Sequence, residues 1–598
     1  MDRKTIAVMV ACIGFLFLWQ GVLVPKYFME KRPVSPVNTS AAPTTPYRGT
    51  TNAAATSATV APGTILARSD ISTNATEQLL TITNENARYI FTSRGGGLKE
   101  IELVKFPETI TRIHKDSTNT LKVATLNTHA HLPVLGILGG EMLLGDGVFT
   151  LAAIANGVRA EKALPSGLRV VKDFIMGTNY LVHAKVRFEN TSTGTLALPM
   201  QEWVVGTAMP MGGDDDGSAV GIMWYDGAKA KTHETLTSYF DNKTLGCFPG
   251  TPKTEYRDGA SNIIWTATHN QFFASIVMLD APAEQIVSRA IELPRPTEGK
   301  FSATNNPARK GFETTVNYPA TTLETGKTIE RNVNLFIGPK EYKTLASIAD
   351  RYNNNSDQAM GFGFFGFFSK ALLLVMNWLH SALSVSYGWA IIVITVLLKI
   401  IFWPLTAAST RASQKMAALA PQITALKEKY KDDPAKFSAK QMEFYKENKI
   451  NPVAGCLPML VQLPVFFGFF TMLRTAIELR GASFLWAVDL SKSDTIFFVS
   501  GFPINPLPLL YISTAIWQTH VTPMSPGMDP AQAKMMRWMP LMFLVILYNF
   551  SSGLALYMTV NNLLTILQTK MTKAPAAGVI PPSPLTSSAL TPVSKKKK

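Results

Sequence analysis

Between Trp389 and Thr406 the chain reads Trp-Ala-Ile-Ile-Val-Ile-Thr-Val-Leu-Leu-Lys-Ile-Ile-Phe-Trp-Pro-Leu-Thr, and Lys399 is the only charge in that apolar stretch. A Lys at the centre of a bilayer-spanning helix costs roughly 2.5 to 3.5 kcal/mol on insertion scales, so it normally faces a bundle interior, a watery cavity or a partner. Two readings follow from spacing. If the apolar boundary lies near Pro404, the ammonium snorkels to headgroups. If the helix runs on to Ala408, the next charge is Arg411, about 18 Å away at 1.5 Å per residue, and Lys399 belongs to a hydrophilic groove. Thr395 stands one turn earlier on the same face. Gln462, Gln518, Asn549, Asn561 and Asn562 are polar residues in other apolar runs, and such residues either join helices by hydrogen bonds or line a groove. We group Lys399, Thr395, Gln462, Gln518 and Asn561 as candidate substrate-groove residues.

Other chemistry is poorly supported. Asp214-Asp215-Asp216 follows Gly212-Gly213, but the spacing fits a solvated turn better than a calcium loop. His114, His183 and His269 form no readable catalytic arrangement, and no phosphate-cradling Walker sequence is present. We expect no enzymatic activity, no cofactor and no metal. A proton-coupled transporter, the rival reading for a multi-pass chain, usually needs a membrane-embedded acid, and no Asp or Glu falls within an apolar run assigned to a crossing.

The elements that must hold these residues fall into two regimes. Residues 1 to 360 of the 598 contain one long apolar run, Ile6 to Val24, preceded by Arg3 and Lys4 and followed by Pro25-Lys26. It reads as an uncleaved signal anchor with its N-terminus in the cytoplasm; a cleaved signal peptide is the alternative. Pro33 to Ala67 is a Pro, Ser, Thr and Ala mixture that cannot bury enough surface to fold. From Thr73 to Gly338 the texture is short strands: Tyr180, Val182, Ala184, Val186 and Phe188 share one face, and Ile329 to Ile337 repeats the period of two. This predicts a large antiparallel sandwich. Of three cysteines only Cys247 lies in the exported part, so no disulfide framework supports it.

From 361 to 570 apolar runs dominate. Residues 364 to 385 are apolar enough to span, but a crossing there would place the segment 411 to 449 outside, and that segment has nine Lys or Arg against five acids. The positive-inside tendency therefore makes 364 to 385 an interfacial amphipathic helix with Trp378 at headgroup level. The remaining crossings are about Ser386 to Ala408, Val453 to Leu473, Ile504 to Val521, Trp538 to Phe550 with some flank, and Leu554 to Thr569, six with the anchor. Met416, Leu419, Ile423, Leu426 and Tyr430 form an apolar helical stripe, and Asp433-Pro434 starts a second helix, giving a basic cytoplasmic hairpin. The net charge of +15 is explained by membrane flanks and the Lys595 to Lys598 tail, without any nucleic-acid motif; no DNA partner is expected.

The third crossing opens Asn451-Pro-Val-Ala-Gly-Cys-Leu-Pro458-Met-Leu-Val-Gln462-Leu-Pro464-Val-Phe. This segment resembles the signature of the YidC-type membrane protein insertases. So do Leu405 after Trp403-Pro404, Glu478-Leu479-Arg480, and Ser552-Gly553-Leu554-Ala555-Leu556-Tyr557. In the exported part, Ser93-Arg94-Gly95-Gly96-Gly97, Asn270-Gln271-Phe272-Phe273-Ala274 and Gly338-Pro339 are similar to the periplasmic domain of Gram-negative members. The resemblance implies an α + β membrane protein with this organisation: signal anchor 1–25, flexible linker 26–67, periplasmic β-sandwich 68–340 related to sugar-binding folds, interfacial helix 361–385, five-helix insertase core 386–570 with cytoplasmic hairpin 409–450, and basic tail 571–598. The alternative is a periplasmic sugar-binding or sugar-modifying protein on a membrane anchor. The implied setting is the bacterial inner membrane. The implied partners are nascent membrane proteins, the Sec translocon with its accessory subunits, membrane lipids, and the ribosome through tail and hairpin. The family carries a charge in the second crossing, usually Arg, in a groove open to cytoplasm and lipid. Lys399 stands there, keeping the charge without the planar fork. Tyr557-Met558 departs from the two aromatics many members have.

A cysteine introduced at Ser438 should be protected from a membrane-impermeant maleimide added to the periplasmic side of cells. Labelling there would overturn the topology, including the interfacial helix on which its parity rests.

Overall fold

The computed structural model describes residues 76–110, 122–234, 236–242, 250–303, 306, 308–448, 457–522 and 530–572. The expected anchor, linker and basic tail, His114, and the Asn451 to Cys456 stretch lie outside the described residues, except that the tail's first two residues close the last helix. The chain divides into two compact units, Met1–Gly361 and Phe362–Lys598.

The first unit is built on antiparallel sheets. The widest has nine strands in the order Ala230–Glu234, Gly221–Tyr225, Ile263–His269, Phe273–Ala283, Thr328–Pro339, Leu181–Asn190, Leu168–Met176, Gly157–Ala163 and Thr150–Ile154. The expected alternation appears at its centre: Val182, Ala184, Val186 and Phe188 are buried, with Lys185 exposed between them. A five-stranded sheet contains Gln201–Ala208 and Lys310–Tyr318. Its Trp203 meets Phe188 of the wide sheet edge-on, with ring centroids 6.2 Å apart. That contact marks the sandwich core, where each large aromatic contributes a few kcal/mol of apolar burial. A four-stranded sheet, 79–126, packs on the same structure through Phe91 and Phe174, 5.1 Å apart. All-buried strands such as Gln201–Ala208 show no alternation, because both faces are covered.

The exported motifs have packing explanations. Gly96 has φ +56° and a Cβ there would stand 2.5 Å from the Phe149 ring; on Gly338 it would stand 2.7 Å from the Tyr180 ring. The Asn270 carboxamide oxygen accepts from the backbone N–H of Phe272 (3.1 Å) and Phe273 (2.9 Å), which closes the turn before the Phe273 strand. Lys172 is fully buried, donates to the carbonyls of Gly95 and Leu135 at 2.8 Å each, and lies 4.7 Å from the Phe149 ring centroid. It ties three loops together through one ammonium. The helix α1, Tyr342–Tyr352, closes the unit.

The second unit is helical: α2 Gly366–Leu383, α3 Tyr387–Ala418, α4 Ala420–Lys429, α5 Pro434–Glu447, α6 Leu457–Thr475, α7 Pro506–Val521, α8 Pro530–Leu547 and α9 Ser552–Met571. By length and composition α3 is the one helix among the described residues fit to cross a bilayer. On α2 the polar groups point into the unit, Asn377 donating to Glu478 at 2.8 Å and His380 bonding the Val385 carbonyl at 2.7 Å. Its exposed face is apolar, with Leu374, Val375, Trp378 and Leu383.

The structure corrects several boundaries. The second-crossing helix does not stop near Ala408 but continues to Ala418, so the apolar stripe from Met416 to Tyr430 is split between two helices. Pro421 forces the break at Leu419, because a proline lacks the N–H for the ladder and is tolerated only in the first turn of α4. Met416, Leu419, Ile423 and Tyr445 still form one buried cluster with Phe437 and Phe444 against it. The Asp433 carboxylate accepts from the Lys436 N–H at 2.9 Å, so α5 is capped as expected. Helix α8 begins at Pro530, so the flank expected before Trp538 is eight residues long and includes Lys534 and Arg537. A short hairpin, Phe497–Val499 with Phe502–Ile504, interrupts the loop before α7.

Burial lowers the Lys172 ammonium to about 7. A lysine whose folded pKa lies below its unfolded value near 10.4 binds fewer protons folded than unfolded between those values, so its contribution to stability rises with pH across that window. A purified 68–340 fragment should fold by itself, and in urea unfolding it should gain stability relative to Lys172→Met between pH 7 and 9. An unfolded fragment would contradict the domain's independence, and parallel pH profiles would contradict the buried ammonium.

Candidate functional site

Helices α3, α6 and α9 meet around a small cavity of about 10 Å³ lined by Thr395, Leu398, Lys399, Gln462, Tyr557 and Asn561. The spacing produces this lining. Thr395 and Lys399 are four residues apart on α3; Tyr557, Asn561 and Thr565 are four apart along α9; each set forms one stripe, and the stripes face each other.

Lys399 Nζ donates to Thr565 Oγ1 at 2.8 Å, and that hydroxyl donates to the Asn561 carbonyl at 2.7 Å. Thr395 is buried with its hydroxyl donated to the Ile391 carbonyl at 2.7 Å. Gln462 Nε2 donates to the Tyr557 hydroxyl at 3.2 Å, and the Tyr557 ring stacks on Phe469 with centroids 4.2 Å apart. The lining contains no carboxylate. An ammonium has three N–H donors, so one bond to Thr565 leaves two for water or an incoming acceptor.

The polar seam continues toward the C-terminal half of α3. Gln568 donates to the Trp403 carbonyl (3.4 Å) and also bonds the Thr406 hydroxyl, while Gln414 donates to the Thr572 carbonyl at 3.2 Å. In the other direction the packing is close. A Cβ on Gly388 would stand 2.2 Å from the Phe484 ring, and Trp389 meets that ring edge-on at 5.6 Å. The loop 476–505 is ordered over this end: the Asp489 carboxylate accepts from Gly481 N–H (3.1 Å) and Ser491 N–H (2.9 Å), and Ser552 N–H donates to the Lys492 carbonyl at 2.6 Å. The cavity is thus polar toward Ala418 and closed toward Tyr387.

Four of the five sequence-derived groove candidates line this cavity. Gln518, half-buried on α7, is not among its lining residues, and Asn562 bonds Thr514 of α7 at 3.4 Å. Sequence reasoning gave no groove role to Tyr557, Leu398 or Thr565. Thr565 was detectable by its spacing of four from Asn561. Elsewhere, Asp215 and Asp216 accept from backbone N–H groups of their own turn, His183 pairs with Asn334 at 2.7 Å, and His269 is buried and lowered to about 3 by that burial. None of these forms a catalytic constellation.

A family model described as 60Kd inner membrane protein matches residues 378–577, and one described as YidC periplasmic domain matches 79–375. The membrane protein insertase YidC of Pelobacter propionicus is 31% identical over 595 residues, covering 95% of this chain and 98% of the relative. That of Neisseria gonorrhoeae is 32% identical over 509 residues, covering 82% and 86%, and that of Neisseria meningitidis is 42% identical over 260 residues, covering 43% and 45%. Among solved structures, an active YidC insertase with its first transmembrane domain resolved is 17% identical, with a TM-score of 0.33 and coverage of 85% and 96%. A galactose mutarotase related enzyme of Lactobacillus acidophilus is 9% identical, with a TM-score of 0.27 and coverage of 44% and 97%.

Proposed function

This chain belongs to the YidC family of membrane protein insertases, and from that premise we propose that it draws client segments into the membrane through the cavity around Lys399. The protein is a membrane protein insertase with a periplasmic domain and an inner-membrane core. The observation that carries the mechanism is one cation in a three-helix cavity whose lining is polar and lacks a carboxylate.

A nascent membrane protein must move a polar, often acidic, outer segment across a layer where unsatisfied polar groups cost several kcal/mol each. Lys399 supplies charge, and Gln462, Asn561 and Tyr557 supply hydrogen-bonding groups, part-way along that path. A segment held there is hydrated and attracted at once, and the dry distance left to cross is shorter. Thr395, bonded to its own helix, shapes the wall. The closed packing around Gly388 and Phe484 supports a groove that opens inward and to lipid, not to the outside. The apolar client helix then leaves along α6 and α8. The exposed Met535, Trp538, Met539, Met542 and Val545 of α8 offer a soft apolar surface, suited to varied sequences because methionine side chains adapt to irregular partners. Burial in lipid, at about 0.8 kcal/mol per CH₂, supplies the driving force, and no nucleotide is required.

The same reading has α3, α6, α7, α8 and α9 cross the membrane, with the anchor as a sixth span and both termini cytoplasmic. Lys534 and Arg537 at the start of α8 and the basic α4–α5 hairpin favour that orientation. The hairpin and the C-terminal lysines would meet the ribosome, and the core would work alone or beside the Sec translocon.

Two like charges 4 Å apart repel by about 4 kcal/mol at an effective dielectric of 20. Lys399→Glu should therefore lower in vitro insertion of a client with an acidic outer segment by at least about tenfold, and removing the client's acids should restore much of the loss. Lys399→Arg should leave insertion unchanged. Equal insertion by wild type and Lys399→Glu, at equal protein levels and with the acidic client, would rule out electrostatic attraction and restore snorkelling as the role of Lys399.

A further inference from the structure

The hairpin before α7 is a small rigid device with its apolar side chains turned outward. Phe497, Phe498, Val499 and Phe502 are 54%, 69%, 52% and 57% exposed. With about 200 Å² per phenylalanine side chain, they leave on the order of 400 Å² of apolar surface uncovered. Its two-residue turn, Ser500-Gly501, has φ +50° and +81°, the geometry that matches the twist of tight hairpins.

Its base is fixed. Asn505, fully buried, donates to the Tyr548 carbonyl at 2.9 Å and accepts from the Thr495 hydroxyl at 2.7 Å; the Tyr548 hydroxyl donates to the Pro503 carbonyl at 2.6 Å. The Phe502 ring stacks on Tyr548 with centroids 5.2 Å apart. The hairpin is therefore held against the junction of α8 and α9, and its tip is presented from a firm base.

We propose that this hairpin is a lipid-inserted wedge, seated in the headgroup and upper acyl region of the outer leaflet. The inference rests on the outer placement of this loop in the topology proposed above. Three observations select lipid over a protein partner. No Asp, Glu, Lys or Arg occurs from Thr495 to Met528, so the hairpin continues the uncharged surface of α7 and carries no charge to specify a partner. Leu509, Leu510, Ile516 and Trp517 of α7 are exposed in the same way. The uncovered area is well below the roughly 800 Å² per partner of a stable protein contact.

Length supplies the physical reason. Helix α7 has 16 residues, about 24 Å at 1.5 Å per residue, against a hydrocarbon core of about 30 Å. A three-residue strand adds about 10 Å, enough to cover the shortfall. The hairpin completes the apolar span of α7 without the bilayer thinning that a short helix otherwise imposes.

The test uses the full chain with Cys12, Cys247 and Cys456 changed to Ser, one new cysteine at Phe498→Cys or Val499→Cys, and an NBD fluorophore on it. The protein is reconstituted into phosphatidylethanolamine and phosphatidylglycerol vesicles. Both positions should show blue-shifted emission, quenching by lipids carrying a nitroxide near the headgroup, and iodide quenching at least about threefold weaker than at a Ser493→Cys control in the same loop. Iodide quenching equal to the control would overturn the wedge. Protection from iodide without quenching by the nitroxide lipids would overturn it in favour of a second copy or another protein. A cysteine at Ser438, labelled from the periplasmic side of cells, reports the topology separately: protection there with a wet hairpin refutes the wedge alone, whereas labelling there with a lipid-quenched hairpin refutes the outer-leaflet assignment together with the topology.

Discussion

An ammonium within the apolar part of a 32-residue helix is the constraint around which the helical unit is arranged. Lys399 must be hydrated, paired or hydrogen-bonded, because hydrocarbon offers it nothing. Among the described residues it is held by one hydroxyl, that of Thr565, and by no carboxylate. Pairing it with an acid would have locked α3 to α9 and cancelled the field. A single neutral acceptor positions the charge and leaves it uncompensated. The residues around it extend this logic: polar side chains accumulate along the α3–α9 seam toward Ala418, while Gly388, Trp389 and Phe484 pack the opposite end closely.

The parts of the site legible in sequence were those whose chemistry conflicts with their surroundings. A lysine among isoleucines and leucines announces itself, as do Gln462 and Asn561 in apolar runs. Thr565 does not, because a threonine in an apolar helix commonly satisfies its hydroxyl on the preceding turn, and this one does so on Asn561 while also accepting from Lys399. Gln518 shows what spacing cannot supply: a polar residue in an apolar run has no direction until the helix is packed, and α7 meets α9 through Thr514 and Asn562.

The same division holds for the fold. Local signals survived: the period of two in Leu181–Asn190, and the Asp433 cap with Pro434 behind it. The stripe from Met416 to Tyr430 misled because its spacing continues across the break at Leu419, so one cluster is built from two helices. Strand order across the nine-stranded sheet is set by contacts between distant segments, such as Thr328–Pro339 lying between Phe273–Ala283 and Leu181–Asn190, and no local pattern encodes that. The hairpin at 497–504 was hidden for another reason. Its residues are apolar on both faces, which removes the alternation by which a strand is recognised.

The central claim is that the cavity beside Lys399 receives the client's polar segment during insertion. The most direct measurement is site-specific photocrosslinking from Leu398 and Asn561, which line the cavity with Lys399, to ribosome-bound nascent chains of increasing length, with Gln518 as a position outside it. The account predicts adducts from Leu398 and Asn561 to the client's acidic outer segment at intermediate chain lengths, lost as insertion completes, and few from Gln518. Adducts of equal yield at all three positions, or crosslinks from the cavity only to the client's apolar helix, would contradict it.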